Sequence, residues 1–467
     1  MDSLLFQKPS IAPPLDPDFR PAALGNRAFA RAVEAAGGGV PLTLAVERSG
    51  GEVARFATRV LPESHPRVAD NLVYVERIVK FLLWQKGGFK VHVAGPKAIA
   101  DHLAREYAEG GSRAFDADFM AKVYEAPKFV VVHVSDAELP AENEAPAPVG
   151  GHLDGCRIGF DAGGSDRKVA AVIDGKEVFS CEVVWHPKVT SDAQYHVDGI
   201  NDSIRRAAEH LPRIDAIGVS SAGIYVKNRT MVASLFRKVP EDEFNAKIKN
   251  IYLDVAKQWG NVPVEVANDG DVTALAGAMN LGDNSVLGIA MGTSEAVGYV
   301  NPDGLITGWL NELAFAPVDY SPNAPVDTEW SGDKGTGVLY FSQDAVIRLA
   351  PKAGIELDAS LSPGEKLKKV QDIFKSGDER PRKIFESIGI YLGYALLHYA
   401  DFYDIKHVLL LGRVTSGEGG SILIENARHV LRELSPELAS RLEIHLPDEA
   451  SRRVGQSIAA ASLPKLR

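Results

Sequence analysis

Two segments of this chain repeat one pattern, and that repeat limits the fold more than any other feature. Residues 157–181 read as strand, Gly-rich turn, strand, Asp-Gly turn, strand, and residues 286–307 read the same way. They align without a gap: Gly159, Gly163, Ser165, Asp174 and Gly175 fall on Gly288, Gly292, Ser294, Asp303 and Gly304, each pair 129 residues apart. Five matches in one pair of hairpins can arise by chance. These fall on turn glycines and the hydroxyl after them, which favours a structural duplication. The expected class is α/β, with two related halves.

The duplicated region leaves much of the chain over. At roughly 150 residues per domain, 467 residues correspond to about three domains. The clearest break in composition is 138–151, with three prolines, two terminal glycines and almost no large apolar residue, which reads as a linker. Before it, residues 1–23 are Pro-rich and aperiodic, as an extended arm would be. Two strands around Ser49-Gly50-Gly51, helices over about 70–84 and 96–108, and strands at 89–93 and 129–134 make residues 24–137 a small α/β domain. Its histidines His65, His92, His102 and His133 lack metal-ligand spacing and read as structural or surface residues.

Charge and cysteine content remove other classes. Lys+Arg 51 against Asp+Glu 62 leaves a net charge of −11, which does not favour a nucleic-acid partner. Two cysteines, Cys156 and Cys181, can build neither a disulfide scaffold nor a Cys-rich zinc site, and they suit a reducing cytoplasm. Residues 1–9 lack the pattern of a signal peptide, and the longest apolar runs are strand-length, so no membrane association is expected.

The two Gly-rich turns carry the chemistry. A strand ending in Gly163-Gly164-Ser165 or Gly292-Thr293-Ser294 exposes consecutive backbone N–H groups where an anion can approach closely. One such turn is commonly only a turn; two related ones fit a polyphosphate held between them. Asp161, two residues before Gly163, would repel phosphate unless a cation intervened, and Mg²⁺ is the natural bridge. Lys168 could reach a phosphate or point at solvent. Asn268-Asp269 ends a strand and precedes an Ala/Leu-rich helical run, the end of an α/β sheet where ligands bind. Such residues also cap helices. Taken with the two turns, catalysis is the favoured reading, with Asp269 as general base and Asn268 on a substrate hydroxyl.

Over residues 157–466 these motifs resemble the ROK family of sugar kinases, within the actin-like ATPase superfamily. Asp161-Ala-Gly-Gly-Ser165 resembles the first phosphate motif and Gly292-Thr-Ser294 the second. Residues 217–224, with Gly223, resemble the strand and turn lining the sugar site, and 264–277 the family's Asn-Asp helix start. Residues 408–412, followed by Gly417 and a helix, resemble the adenosine motif, which assigns Gly412 and Gly417 to the nucleotide. The resemblance implies ribonuclease H-like halves at 152–282 (with a C-terminal helix, 450–466) and 283–449, following an added domain at 1–137.

The pattern also breaks. The family's sugar-binding Glu is present as Glu312, but Phe315 stands in place of the following His that also binds zinc. Ser331, Asp333 and Val338 stand in place of the zinc cysteines, and Tyr340 in place of a sugar-binding Glu, so no zinc is expected. Glu295 follows the second phosphate turn, where small residues are usual, and Arg413 replaces a common glycine. Phe315 and Tyr340 predict a less hydroxylated or stacking substrate.

The expected activity is ATP-dependent transfer of the γ-phosphate to a sugar or polyol hydroxyl. Asp269 is the base, Asp161 positions Mg²⁺ directly or through water, and Asn268, Gly223 and Glu312 line the substrate. A non-catalytic sensor or scaffold, motivated by Glu295, Phe315 and Tyr340, is the alternative. An ATPase stimulated by a protein partner is a third. No helix-turn-helix is evident in 1–150. Kinases of this type often pair, so a homodimer is implied, although no apolar stripe in the sequence marks an interface.

Overall fold

The computed structural model describes residues 3–144, 149–447 and 449–466, so the middle of the Pro-rich linker lies outside the described residues. The N-terminal third forms a mixed sheet from β1 (Val40–Glu47), β2 (Val53–Val60), β3 (Lys90–Ala94) and β4 (Val130–Val134), in the order β2-β1-β3-β4. Gly50 and Gly51, both at positive φ, turn the first hairpin. The expected arm runs only to Pro21. Helix Ala22–Ala35 begins there, and helix Ala114–Val123 adds a further element to those the sequence predicts.

The duplication holds at the level of topology. The first half contains β5 (Cys156–Ala162), β6 (Asp166–Ile173), β7 (Lys176–Val184) and β8 (Ala216–Ser221). A small hairpin of β9 (Ile224–Val226) and β10 (Arg229–Val232) follows, then β11 (Val264–Asn268). The sheet order is β11-β8-β5-β6-β7. The second half has β12 (Val286–Met291), β13 (Glu295–Val300), β14 (His407–Leu411) and β15 (Glu443–His445), in the order β13-β12-β14-β15. In both, an antiparallel hairpin leads into two parallel strands on its other side. The third hairpin strand expected in the second half is reduced to one bridge, Val300 with Ile306. The backbone beyond it bonds elsewhere: Asn311 N–H donates to Gln85 O and Glu312 N–H to Trp84 O, both at 2.9 Å.

Glycine lets helices sit directly on these sheets. A Cβ on Gly159 would lie 1.9 Å from Ser457 O, and one on Gly218 1.7 Å from Ala460 O, both on the C-terminal helix Glu449–Ala461. That helix and helix Asp269–Leu281 pack between the two sheets, with Val272, Leu275, Leu409, Ala459 and Leu463 in the shared core.

The N-terminal third does not form a core of its own. Leu44 and Val93 of its sheet, together with Ile78 and Phe81, join Ile289, Tyr340, Ile388 and Leu410 of the second half in one continuous cluster. Helix Asp70–Lys86 is buried on nearly every side because it lies between them. The arm is fastened too: Asp16 accepts from Tyr391 Oη at 2.6 Å and pairs with Arg348 at 3.0 Å. Among the described residues, no helix is long and apolar enough to cross a membrane.

Candidate active site

Parallel pairing aligns the strand ends of the first half. Asp161 lies beside Ser220, and Ala162, Ser221 and Asn268 end the adjoining strands β5, β8 and β11. Ser220 Oγ donates to Asp161 at 2.9 Å, and burial raises the Asp161 carboxyl above its ordinary range. Asn268 is the N-cap of helix Asp269–Leu281: its Oδ1 accepts Gly270 N–H at 2.7 Å while its Nδ2 donates to Gly223 O at 2.8 Å. Capping is thus Asn268's work, and Gly223 is held beside it at positive φ.

Asp269, the first helical residue, is left facing its neighbours' charge. Burial first, then Asp161, pushes its carboxyl up to about 6. Glu312 is raised to about 7 by burial and then by Asp269 and Asp271, which places it electrostatically against the same helix start. Asp271 is spent structurally, accepting Tyr299 N–H at 3.0 Å and Asn311 Nδ2 at 3.1 Å. Those bonds tie the helix to the loop that presents Glu312.

The first Gly-rich turn is supported from below by Trp185, which donates its backbone N–H to Ser165 O at 3.1 Å and Nε1 to Gly163 O at 2.8 Å. From above comes a cation that sequence reasoning missed. A Cβ on Gly164 would lie 2.7 Å from Lys188 Nζ, and the charge of Lys188 also lowers Asp269. The nearby Trp185-His-Pro187 run could have marked this loop, but a lone exposed lysine carries no periodic signal. Lys168 instead pairs with Asp166 at 3.1 Å.

In the second half, Thr293 and Ser294 are exposed, and Gly292 O accepts Gln343 N–H at 2.9 Å. Arg413 Nη2 reaches Thr293 Oγ1 at 3.4 Å, so this departure from the family pattern adds a cation at the turn. Gly412 packs where a Cβ would stand 2.3 Å from Met291 O. With Gly417, Thr415, Leu446 and Pro447 it lines a pocket of about 290 Å³ at the start of helix Glu418–Leu434, whose first N–H groups have no side-chain cap.

Glu295 does not face this turn. It is buried on the inner face of β13, where a Cβ on Gly337 would lie 2.3 Å from its Oε2, and neither oxygen finds a partner among the described residues. Burial and then Glu312 raise its carboxyl well above the ordinary range, and it lies in the core rather than at the turn.

Phe315 and Tyr340 likewise correct the expectation that they read the substrate. Phe315 packs on Trp84 at 4.4 Å, with Phe115 and Phe119 behind it. Tyr340 is fully buried, 4.9 Å from Tyr391, and donates to Asp319 at 2.6 Å. Asp333, in place of a zinc cysteine, pairs with Arg113 at 2.6 Å, Lys80 at 3.2 Å and Arg77 at 3.4 Å. Ser331 Oγ donates to Asp327 at 2.7 Å. Phe315, Asp333 and Tyr340 therefore pack against the N-terminal third, Tyr340 through Phe19 at 5.8 Å, whereas Ser331 bonds within its own loop.

The fold is similar to that of the ROK hexokinase from Thermus thermophilus, at 18% identity and a TM-score of 0.52, over 66% of this chain and 97% of that one. It is equally similar to a ROK family transcriptional regulator, a homologue of the E. coli MLC protein, at 18% identity and a TM-score of 0.52, over 67% of this chain and 79% of that one. No protein-family model and no curated protein matches the sequence. The chain has the ROK fold, and about a third of its length lies outside the match.

Proposed function

We propose that this protein is an ATP-dependent kinase that phosphorylates a hydroxyl of a sugar or polyol-like small molecule. The observation that carries this reading is the setting of Asp269. A carboxyl raised to about 6 stands at a helix start, within electrostatic reach of Lys188 over the first Gly-rich turn and of Glu312. At neutral pH such a carboxylate is ionised yet basic enough to accept a proton as a hydroxyl becomes nucleophilic.

In this reading Glu312 holds the acceptor beside Gly223, while Asn268, whose amide is spent on Gly270 and Gly223, fixes the helix start. Its hydroxyl oxygen bonds to the γ-phosphorus, the bond from that phosphorus to the β,γ-bridging oxygen breaks, ADP leaves and the proton passes to Asp269. The N–H groups of 163–165 and 292–294, with Lys188 and Arg413, cradle the phosphates. The adenosine lies in the pocket bordered by Gly412 and Gly417. Asp161 and Asp269 offer carboxylate oxygens; burial raises the first and burial with Asp161 raises the second, which fits a hard cation such as Mg²⁺. When bound, that ion would neutralise phosphate charge. Closure of the two halves excludes water, which would otherwise consume ATP.

The sensor reading is motivated by Glu295, Phe315 and Tyr340. All three side chains pack in the interior against the partners described above, so these positions no longer favour it. The test is ATP turnover over a panel of sugars and polyols with Asp269→Asn as the control. The reading expects acceptor-dependent ADP release that Asp269→Asn reduces by about 10²–10⁴ while nucleotide binding persists. Absence of transfer to every acceptor, or wild-type turnover by the variant, would overturn it.

A further inference from the structure

At the far end of helix Asp269–Leu281 from Asp269, three side chains converge that the kinase reading does not use. His407 opens β14, and Glu443 and His445 are the ends of the edge strand β15. Parallel register sets His407 against Glu443 and Leu409 against His445. Strand alternation then puts all three side chains on one face of the sheet.

The spacing is that of a chelate. His407 Nδ1 lies 3.1 Å from His445 Nε2, and Glu443 Oε2 stands 4.0 Å from the first and 3.6 Å from the second. Two nitrogens bound at about 2.0–2.1 Å to one tetrahedral ion are about 3.3 Å apart. The imidazole pair already meets this, and the exposed Glu443 needs only a small rotation to close the third arm.

A supporting residue is also in place. Gly282, at positive φ, ends the helix, and Asp283 directly after it stands 3.1 Å from His407 Nε2 through Oδ2. With Nε2–H donated there, Nδ1 keeps its lone pair for an ion, the usual carboxylate–histidine arrangement of metal sites. The neighbouring cation Lys406 is paired to Asp283 at 3.2 Å.

We propose that His407, Glu443 and His445 bind a borderline divalent transition-metal ion of the Zn²⁺, Co²⁺ or Ni²⁺ class, with Asp283 orienting His407 and water completing the coordination. Two imidazoles and one carboxylate select such ions over Mg²⁺ or Ca²⁺, which take oxygen sets. The site is distinct from Asp161 and Asp269, since the 13-residue helix separates them by about 20 Å. Strand β15 runs straight into Leu446 and Pro447, which wall the pocket beside Gly412. An ion joining β15 to β14 would brace that wall.

The test uses tag-free, full-length protein stripped of metal, titrated at neutral pH with Co²⁺ alone and then with Zn²⁺ as competitor. The expected result is about one equivalent of Co²⁺ with a d–d absorption band, displaced by Zn²⁺. His407→Ala and His445→Ala should each weaken binding at least about tenfold, and Asp283→Ala by about 10–100-fold. His429→Ala, on an exposed face of another helix, should change nothing, and circular dichroism should show every variant folded. Dissociation constants weaker than about 100 μM for the wild type, or binding unaffected by His407→Ala and His445→Ala, would overturn the proposal.

Discussion

Replacing Asp333 with asparagine should loosen both the fold and the acceptor site. Asp333 belongs to a buried set of three cations, Arg77, Lys80 and Arg113, and three anions, Glu76, Asp116 and Asp333. None of these side chains is more than 12% exposed. Although burial opposes ionisation, Arg77 and Lys80 hold the Asp333 carboxyl below its ordinary range. Asp333→Asn leaves the set with one uncompensated buried positive charge, a change that costs about 3–5 kcal/mol. The N-terminal third and the second half share one core, so they should melt together as a unit of about 300 residues. At about 2.1 cal/mol/K per residue, its unfolding entropy is about 0.6 kcal/mol/K and the expected fall in Tm is about 5–8 °C.

The pH dependence of that loss has a definite sign. A carboxyl whose folded pKa is depressed contributes stability above its unfolded pKa and loses it as pH falls through the folded one. The difference between wild type and Asp333→Asn should therefore be full at neutral pH and shrink only in acid, below about pH 4. The network also reaches the site, because Lys80 binds Asp116, Asp116 accepts Trp84 Nε1 at 2.8 Å, and Trp84 O holds Glu312 N–H. KM for the acceptor should rise while that for ATP stays. Calorimetry from pH 3 to 8 with steady-state kinetics measures both. A Tm change under about 2 °C at neutral pH, or separate melting of the N-terminal third, would refute the reasoning.

The other expectations concern the cleft. Because Asp269, as the proposed base, must be ionised to accept a proton and burial with Asp161 pushes its carboxyl up to about 6, kcat/KM for the acceptor should rise with pH through about 6 and level off above it. A profile flat from pH 5 to 8 would remove Asp269 from the rate-limiting proton transfer. Lys188→Met should raise KM for ATP or lower kcat by about 10–100-fold in total, or about 1.4–2.7 kcal/mol, without shifting Tm, since Lys188 is exposed. Equal kinetics would mean that the lysine leaves the phosphates alone. Glu295→Gln replaces a carboxyl that burial raises well above its ordinary range. It should leave Tm within about 2 °C and kcat within about twofold of wild type, whereas a large loss of activity would mean that Glu295 ionises during turnover.

What was legible in the sequence is what local pattern encodes. Period-two alternation broken by glycines at equal spacing located β5–β6 and β12–β13, and the polar pair before an Ala-rich run located Asn268 and the helix it caps. These features depend on residues a few positions apart, and the topology of the two halves follows from them because short hairpins and parallel crossovers leave few alternatives. The resemblance carried by those motifs also brought Asp161, Asp269 and Glu312 into one reading before their electrostatic coupling was visible.

The tertiary structure decided what depends on distant partners. Phe315 and Tyr340 looked like changes in a substrate site and Asp333 like a lost zinc ligand, but their partners Trp84, Phe19 and Lys80 lie more than two hundred residues earlier. Glu295 looked as though it met the phosphates because it follows the turn. Strand alternation and the packing of the loop around Gly337 turned it into the core instead. Lys188 has no pattern of its own and reaches Gly164 only because β7 returns alongside β6. Sequence alone determined the strands, turns and helix starts, since their causes are local. Which side chains face the cleft, and that the N-terminal third holds the Glu312 loop, were settled by long-range packing, which no local period records.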